Sequence, residues 1–248
     1  MSEKTNKAGG FSPEDRIIVA LDVDSAEEAY ALVRRLFPVI TWFKIGLKLF
    51  LSCGPSIVSN LKEMGVRVFL DLKFHDIPNT VAAAAEVAAA CGADMFNIHL
   101  SGGKEMIRRT VEAAEKAARG SGVSTPLIIG VTVLTSFNEK MLHEEAGVQR
   151  SLQEHVIHLA ALAADNGLHG VVASAAETAA IRERISKDMI IVTPGIRPSW
   201  SDAGDQQRIQ TPRLALENGA DYLVIGRPII AHPSPLEAAE RIIDEIKN

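Results

Sequence analysis

Residues 66–80 read VRVFLDLKFHDIPNT. The opening run of Val66, Arg67, Val68, Phe69 and Leu70 alternates and is rich in β-branched and aromatic residues, which predicts a strand. Pro78 then opens the alanine-rich run 78–90, and proline at the first helical position is a helix-start signal. Asp71, Lys73, His75 and Asp76 therefore fall where a strand hands over to a helix, which is a site position rather than a core position. Asp71 and Lys73 are two apart on extended backbone and should leave the same face, whereas Asp76 lies past the turn and approaches from another direction. On this stretch alone, a solvated loop or a structural ion-pair cluster explains the charges as well as a functional site does.

Outward from that junction the same alternation repeats along the chain. Strands are expected at 16–22, 41–45, 66–70, 95–100, 127–134, 170–174, 189–193 and 221–225. Between them the pattern predicts helices at 25–36, 55–64, 78–90, 103–118, 152–166, 177–184 and 212–218, and a last one at 235–246. Ser25 with Glu28 forms a capping-box pattern, and Gly65 suits the left-handed residue after a helix. A polar excursion fills 135–150, and the longest irregular stretch is 194–210, a length that is usually functional in a compact domain.

Eight strands alternating with about as many helices predict one domain, a (β/α)8 barrel over residues 15–248, preceded by a flexible segment at 1–14. An open doubly wound sheet is the alternative. Against it, no GxGxxG follows the first strand, and polar groups follow nearly every strand, as they do when all strand C-termini share one mouth. Those groups are Asp22, Lys44, Asp71, Lys73, His99, Thr135, Ser136, Arg197 and Arg227.

Composition narrows the function classes. A chain of 248 residues, 47% hydrophobic and 23% charged, buries a large core. A net charge of −5 argues against a general nucleic-acid binder, which needs a basic face. Cys53 and Cys91 are the only cysteines and show no zinc or disulfide spacing, so they read as buried small apolar residues in a reducing cytosol. The N-terminus MSEKTNKAGG has no signal-like apolar run, and nowhere do eighteen uncharged apolar residues run together, so neither export nor membrane spanning is expected.

The mouth supports two constellations. Lys44, Asp71, Lys73 and Asp76 alternate in sign, so each can keep its neighbours ionised and the set titrates as a unit. An ammonium such as that of Lys44, at a strand end among apolar residues, is costly unless carboxylates surround it, and Asp71 and Asp76 are the expected partners. The functional reading makes Lys73 a positioned proton donor beside the fixed charge of Asp71; a buried structural network is the other. The second constellation is Gly226 and Arg227 after strand eight, with Arg197 and Gln206 from the irregular stretch. Phosphate often sits near the loops after strands seven and eight of such barrels, and a guanidinium fork suits its oxygens.

The run DLKFHDIPNTV, with FKIGL before it and VTVLTS, TPGIRP, GDQQRI and VIGRPI after it, resembles the orotidine 5′-phosphate decarboxylases from Arg16 onward. The resemblance implies loss of CO2 from orotidine monophosphate to give uridine monophosphate, in pyrimidine synthesis, with no metal or organic cofactor. By resemblance, Lys73 protonates C6 of the pyrimidine, Asp71 lies beside the departing carboxylate, and Lys44 and Asp76 complete the network. It further implies a homodimer with shared sites, in which Asp76, Ile77 and Thr80 enter the neighbouring subunit's site. Asp22 matches a ribose contact, Thr135 and Ser136 fall in the segment that meets the pyrimidine, and Arg197, Gln206, Gly226 and Arg227 match the phosphate grip. His75 and His99 read as structural hydrogen-bonders. Two rivals share the fold: a metal-dependent phosphosugar decarboxylase or aldolase, and a non-catalytic phosphate-ligand binder. The first carries an acid as metal ligand where this chain has Lys44, and the second has no use for a lysine aimed by carboxylates.

Overall fold

Strand segments such as Ile17–Ala20, whose residues are all buried, are apolar on both faces, which suits parallel strands covered by helices. In the computed structural model, which describes residues 12–37, 39–201 and 210–247, they close into an eight-stranded barrel in sequence order, every neighbour parallel. The elements are β1 (Ile17–Ala20), α1 (Ala26–Leu36), β2 (Trp42–Gly46), α2 (Leu47–Cys53), α3 (Ser56–Glu63), β3 (Arg67–Phe74), α4 (Pro78–Ala90), β4 (Met95–His99), α5 (Gly103–Ser121) and β5 (Leu127–Val131). They continue with α6 (Glu139–Glu144), α7 (Leu152–Asp165), β6 (Gly170–Val172), α8 (Ala175–Arg184), β7 (Ile190–Thr193), α9 (Pro212–Glu217), β8 (Tyr222–Ile225), α10 (Arg227–Ile230) and α11 (Pro235–Lys247).

Two apolar clusters hold this arrangement. The larger joins the outward strand faces to the helices, through residues such as Val19, Phe43, Val68, Phe96, Ala85 and Ile242. The smaller is built from strand residues alone, among them Ile18, Trp42, Phe69, Met95, Ile129 and Tyr222, and fills the barrel interior. At its foot Trp42 meets Tyr222 edge-on at 5.5 Å, and the Arg67 guanidinium lies 5.6 Å from the Trp42 ring. Because side chains alternate along a strand, two residues beyond this plug face inward again. Those residues are Lys44 after Trp42, Asp71 after Phe69 and Asn97 after Met95, so one step along three adjacent strands turns an apolar layer into a polar one.

Several local expectations change. Leu47–Cys53 is helical directly after β2, where no element was expected, and the polar excursion at 135–150 contains a helix capped by Asn138, whose side chain accepts from the Met141 amide at 2.9 Å. Strand five stops at Val131, and Thr132 sends both its amide and its hydroxyl to the Val172 carbonyl, at 3.2 and 2.9 Å. Ser25 caps α1 as expected, but Glu28 accepts from the Asp24 amide rather than closing the box on Ser25. Cys53 and Cys91 are free thiols and only partly buried, since both sit at helix ends. Residues 1–11 of the segment expected to be flexible lie outside the described residues, and Glu14–Arg16 forms a single 3-10 turn. Among the described residues no helix is long and apolar enough to cross a membrane.

Candidate active site

The polar layer sits at the C-terminal ends of β1 to β4, the end of a barrel where sites form. Lys44, only 8% exposed, places its Nζ 3.4 Å from Asp22 Oδ1 and 3.4 Å from Asp71 Oδ2. Its room comes from two glycines. A Cβ on Gly46 would lie 3.2 Å from Lys44 Nζ, and one on Gly226 would lie 3.2 Å from Asp22 Oδ2. The end of β8 is thereby packed against the end of β1, and the charged row runs from Gly226 through Asp22 and Lys44 to Asp71.

Lys73 closes the row, its Nζ 2.6 Å from Asp71 Oδ1. Simple alternation anticipates this meeting but not its cause. The pairing of β3 with β4 shifts between Leu70↔Phe96 and Phe74↔Ile98, so four steps of one strand pass two of the other. Within that bulge Lys73 has φ +52°, and among the described residues it is the one non-glycine in left-handed backbone. Its amide donates to Asn97 Oδ1 at 2.8 Å, while Asn97 Nδ2 donates to Asp71 Oδ1 at 2.7 Å.

Burial alone would raise the Asp71 carboxyl. The charges of Lys44 and Lys73, with hydrogen bonds from Lys73 and Asn97, outweigh it and hold this acid below the usual carboxylate range. His99 is pushed down, first by burial and then by the neighbouring His75 and Lys73, so it is neutral at pH 7. Its ring centroid lies 5.3 Å from that of His75, whose Nε2 is 3.4 Å from Ser101 Oγ.

The other predicted residues are placed differently. Asp76 does not reach Lys44 or Lys73 of its own chain: it is exposed, and among the described residues its carboxylate accepts only from the Ile77 amide at 2.6 Å. Asp22 takes the place expected for it beside Lys44, because strand β1 delivers Asp22 from inside the barrel while Asp76 lies beyond the rim. Ile77 is 68% exposed and Thr80 is exposed in the first turn of α4. Thr135, half-buried, and Ser136, exposed, lie between β5 and α6. Arg197 is buried after β7, with its amide 3.0 Å from the Gln210 carbonyl, and Arg227 is exposed after β8. Gln206 lies outside the described residues.

Sequence reasoning missed Asn97. Its signal was an amide inside the apolar strand run MFNIHL, where asparagine is disfavoured and a buried amide must find partners. Chemically the arrangement presents an ammonium aimed by a fixed carboxylate, in a polar layer open to solvent on one side, where Lys73 is one-third exposed. Among the described residues no group of three histidine, cysteine or acidic side chains is placed to hold a metal ion.

A family model described as orotidine 5′-phosphate decarboxylase / HUMPS matches residues 15–242. An orotidine 5′-phosphate decarboxylase of Syntrophomonas wolfei is 51% identical, over 94% of this chain and 98% of that protein. One of Moorella thermoacetica is 50% identical, over 94% and 93%. Among solved structures, an orotidine 5′-phosphate decarboxylase from Lactobacillus acidophilus superposes with a TM-score of 0.84 at 34% identity, covering 94% of this chain and all of that one. An uncharacterized conserved protein from Geobacillus kaustophilus gives 0.81 at 42% identity, over 93% and 99%.

Proposed function

The chain belongs to the orotidine 5′-phosphate decarboxylase / HUMPS family, and from that membership we propose how its own residues carry out a decarboxylation. It is a carboxy-lyase that removes CO2 from orotidine 5′-monophosphate in pyrimidine biosynthesis, a reading supported by the family match and by its named relatives. The observation that carries the finer mechanism is the 2.6 Å contact of Lys73 Nζ with Asp71 Oδ1 beside the buried Lys44.

In this reading the bond from C6 to the carboxylate breaks, its electron pair stays on C6, and a proton from Lys73 Nζ satisfies that pair. CO2 leaves, uridine monophosphate remains, and Lys73 recovers its proton from solvent. The charge developing at C6 has no adjacent carbonyl to absorb it as an enolate, so an ammonium fixed in place stabilises it where it forms. Asp71 keeps that ammonium aimed, and its own charge opposes the substrate carboxylate on the ground-state side. Lys44 holds Asp71 and Asp22 together, with Asp22 turned toward the ribose. Thr135 and Ser136 meet the pyrimidine, and Arg197, Gln206, Gly226 and Arg227 take the phosphate. The reaction then needs neither metal nor organic cofactor. Against the metal-dependent rival stands the Lys44 ammonium, which occupies the space between two carboxylates that a divalent cation would require.

Asp76 supports a second part of the proposal. Among the described residues no cation of its own chain reaches it, and it sits beside exposed Ile77, while Leu47 at 55% and Leu51 at 78% exposure lie on α2, after the neighbouring strand β2. We read this rim as a homodimer face through which Asp76, Ile77 and Thr80 complete the neighbour's site. A cytosolic location fits the two free thiols. The test is an ultraviolet assay of orotidine monophosphate loss with a chelator present. Undiminished turnover is expected; no turnover overturns the assignment, and turnover abolished by the chelator overturns its metal-free form.

A further inference from the structure

Asn97 is 1% exposed, lies in the middle of β4, and is the uncharged member of the polar layer. Three hydrogen bonds close a ring through it. The Lys73 amide donates to Asn97 Oδ1 at 2.8 Å, Asn97 Nδ2 donates to Asp71 Oδ1 at 2.7 Å, and Lys73 Nζ donates to that same oxygen at 2.6 Å. The other Asp71 oxygen faces Lys44 at 3.4 Å, so both edges of the carboxylate are fixed.

The ring sits where the β3–β4 ladder is broken and Lys73 has left-handed backbone, a conformation that a side chain with a Cβ disfavours. Something must hold it. A side-chain amide accepts from a backbone N–H with one atom and donates to a carboxylate with the other, which neither an apolar side chain nor an ionised acid can do.

We propose that Asn97 is a positioning residue, which by bridging the Lys73 amide and the Asp71 carboxylate keeps the lysine in its bulged conformation and its ammonium aimed at the reacting carbon. This rests on the assignment of Lys73 as the proton donor. It makes the bulge part of the machinery, since the geometry of the donor is set from the neighbouring strand.

The groups facing Asp71 are Lys44 from β2, Lys73 from its own strand, and His99 and Asn97 from β4, with Asp22 beyond Lys44 and His75 beyond His99. Removing the Asn97 donor subtracts one bond that favours the ionised carboxyl, so the acid limb of activity must move to higher pH. A residue that only filled the core would leave that limb in place.

Asn97→Leu and Asn97→Asp test this, with wild type and Lys73→Ala alongside, by steady-state turnover of orotidine monophosphate from acid to neutral pH and by calorimetric binding of uridine monophosphate. Asn97→Leu should lower kcat about 10- to 100-fold, the scale of losing a buried hydrogen bond to a charged group, while product affinity stays within about 3-fold. Its acid limb should rise. Asn97→Asp keeps the acceptor for the Lys73 amide but sets a second carboxyl against Asp71, and because such pairs share a proton its acid limb should rise further. If Asn97→Leu does not fold, Asn97→Asp decides alone. A kcat within twofold of wild type, or a reduced kcat with an unmoved pH profile, overturns the positioning role. A wild-type enzyme inactive on orotidine monophosphate, or a fully active Lys73→Ala variant, overturns instead the reading beneath it.

Discussion

Lys44 Nζ and Asp71 Oδ2 meet at 3.4 Å across the β2–β3 seam, although the register pairs Lys44 with Phe69 and Asp71 with Gly46. The contact is diagonal because Gly46 has no side chain to stand between them, and a Cβ there would lie 3.2 Å from the ammonium. A glycine thus lets a lysine on one strand serve a carboxylate two residues further along the next. From Asp71 the charge passes to Lys73, which no other acid of its own chain touches among the described residues.

Lys73→Ala should reduce turnover on the order of 10⁴-fold or more, since proton donation and charge stabilisation are both lost. The fold and the affinity for uridine monophosphate should survive, because Lys73 is partly exposed and its amide bond to Asn97 needs no side chain. Ultraviolet turnover and calorimetric binding check the two halves. Near-normal turnover would remove Lys73 from the mechanism.

Lys44→Met should destabilise the protein by about 3 kcal/mol at neutral pH, the scale of breaking a buried ion pair. The sign of its pH dependence follows from Asp71, whose carboxyl is held below its unfolded value. In wild type that contribution is present above about pH 4 and is lost as pH falls through the native value. Without Lys44 the burial of Asp71 is less opposed, its carboxyl moves up, and the advantage shrinks. The gap between the two proteins in urea unfolding should therefore be widest near pH 7 and narrow below about pH 4. A gap that stays constant with pH would mean that Lys44 matters through packing alone.

The barrel was legible because polar residues follow nearly every strand and several helices begin with a recognisable start, as Pro78 and Pro212 show in α4 and α9. What stayed hidden has physical reasons. The run LKLFLSC of α2 follows β2 directly, with Gly46 as its cap and no side-chain cap bond, so no start signal marks it as a helix. The Lys73 bulge is invisible to periodicity, since alternation gives the same face by a different route. Asn97 was passed over because a single amide in an apolar run looks like a packing exception until its two partners, from another strand, are known. The failure of Asp76 to pair with Lys44 or Lys73 is a distance in space that sequence spacing does not set.

Arg227→Ala should cost about 2–4 kcal/mol in kcat/KM for the phosphorylated substrate, as loss of a charge-assisted contact does. The nucleoside lacking phosphate should barely respond. Arg227 is exposed at the start of α10, beyond the barrel core. Equal losses on both substrates would show that the side chain supports the barrel instead.

The dimer makes the last prediction. If Asp76 reaches the partner's site while Lys73 serves its own, inactive Lys73→Ala and inactive Asp76→Ala proteins should complement once their subunits exchange. In each mixed dimer one site collects both lesions and the other neither, so equal random mixing under two-fold symmetry leaves about a quarter of all sites intact. If both residues act within one chain, every site keeps a lesion and no activity returns. The shared version is favoured by the position of Asp76, exposed beyond the bulge and, among the described residues, paired only with the Ile77 amide, while Lys73 is already bound to Asp71. Among the described residues no cation of its own chain reaches that carboxylate, so a neighbouring subunit is the partner proposed for it. Mixed dimers verified by mass that remain inactive would refute the shared site and leave the decarboxylase reading untouched.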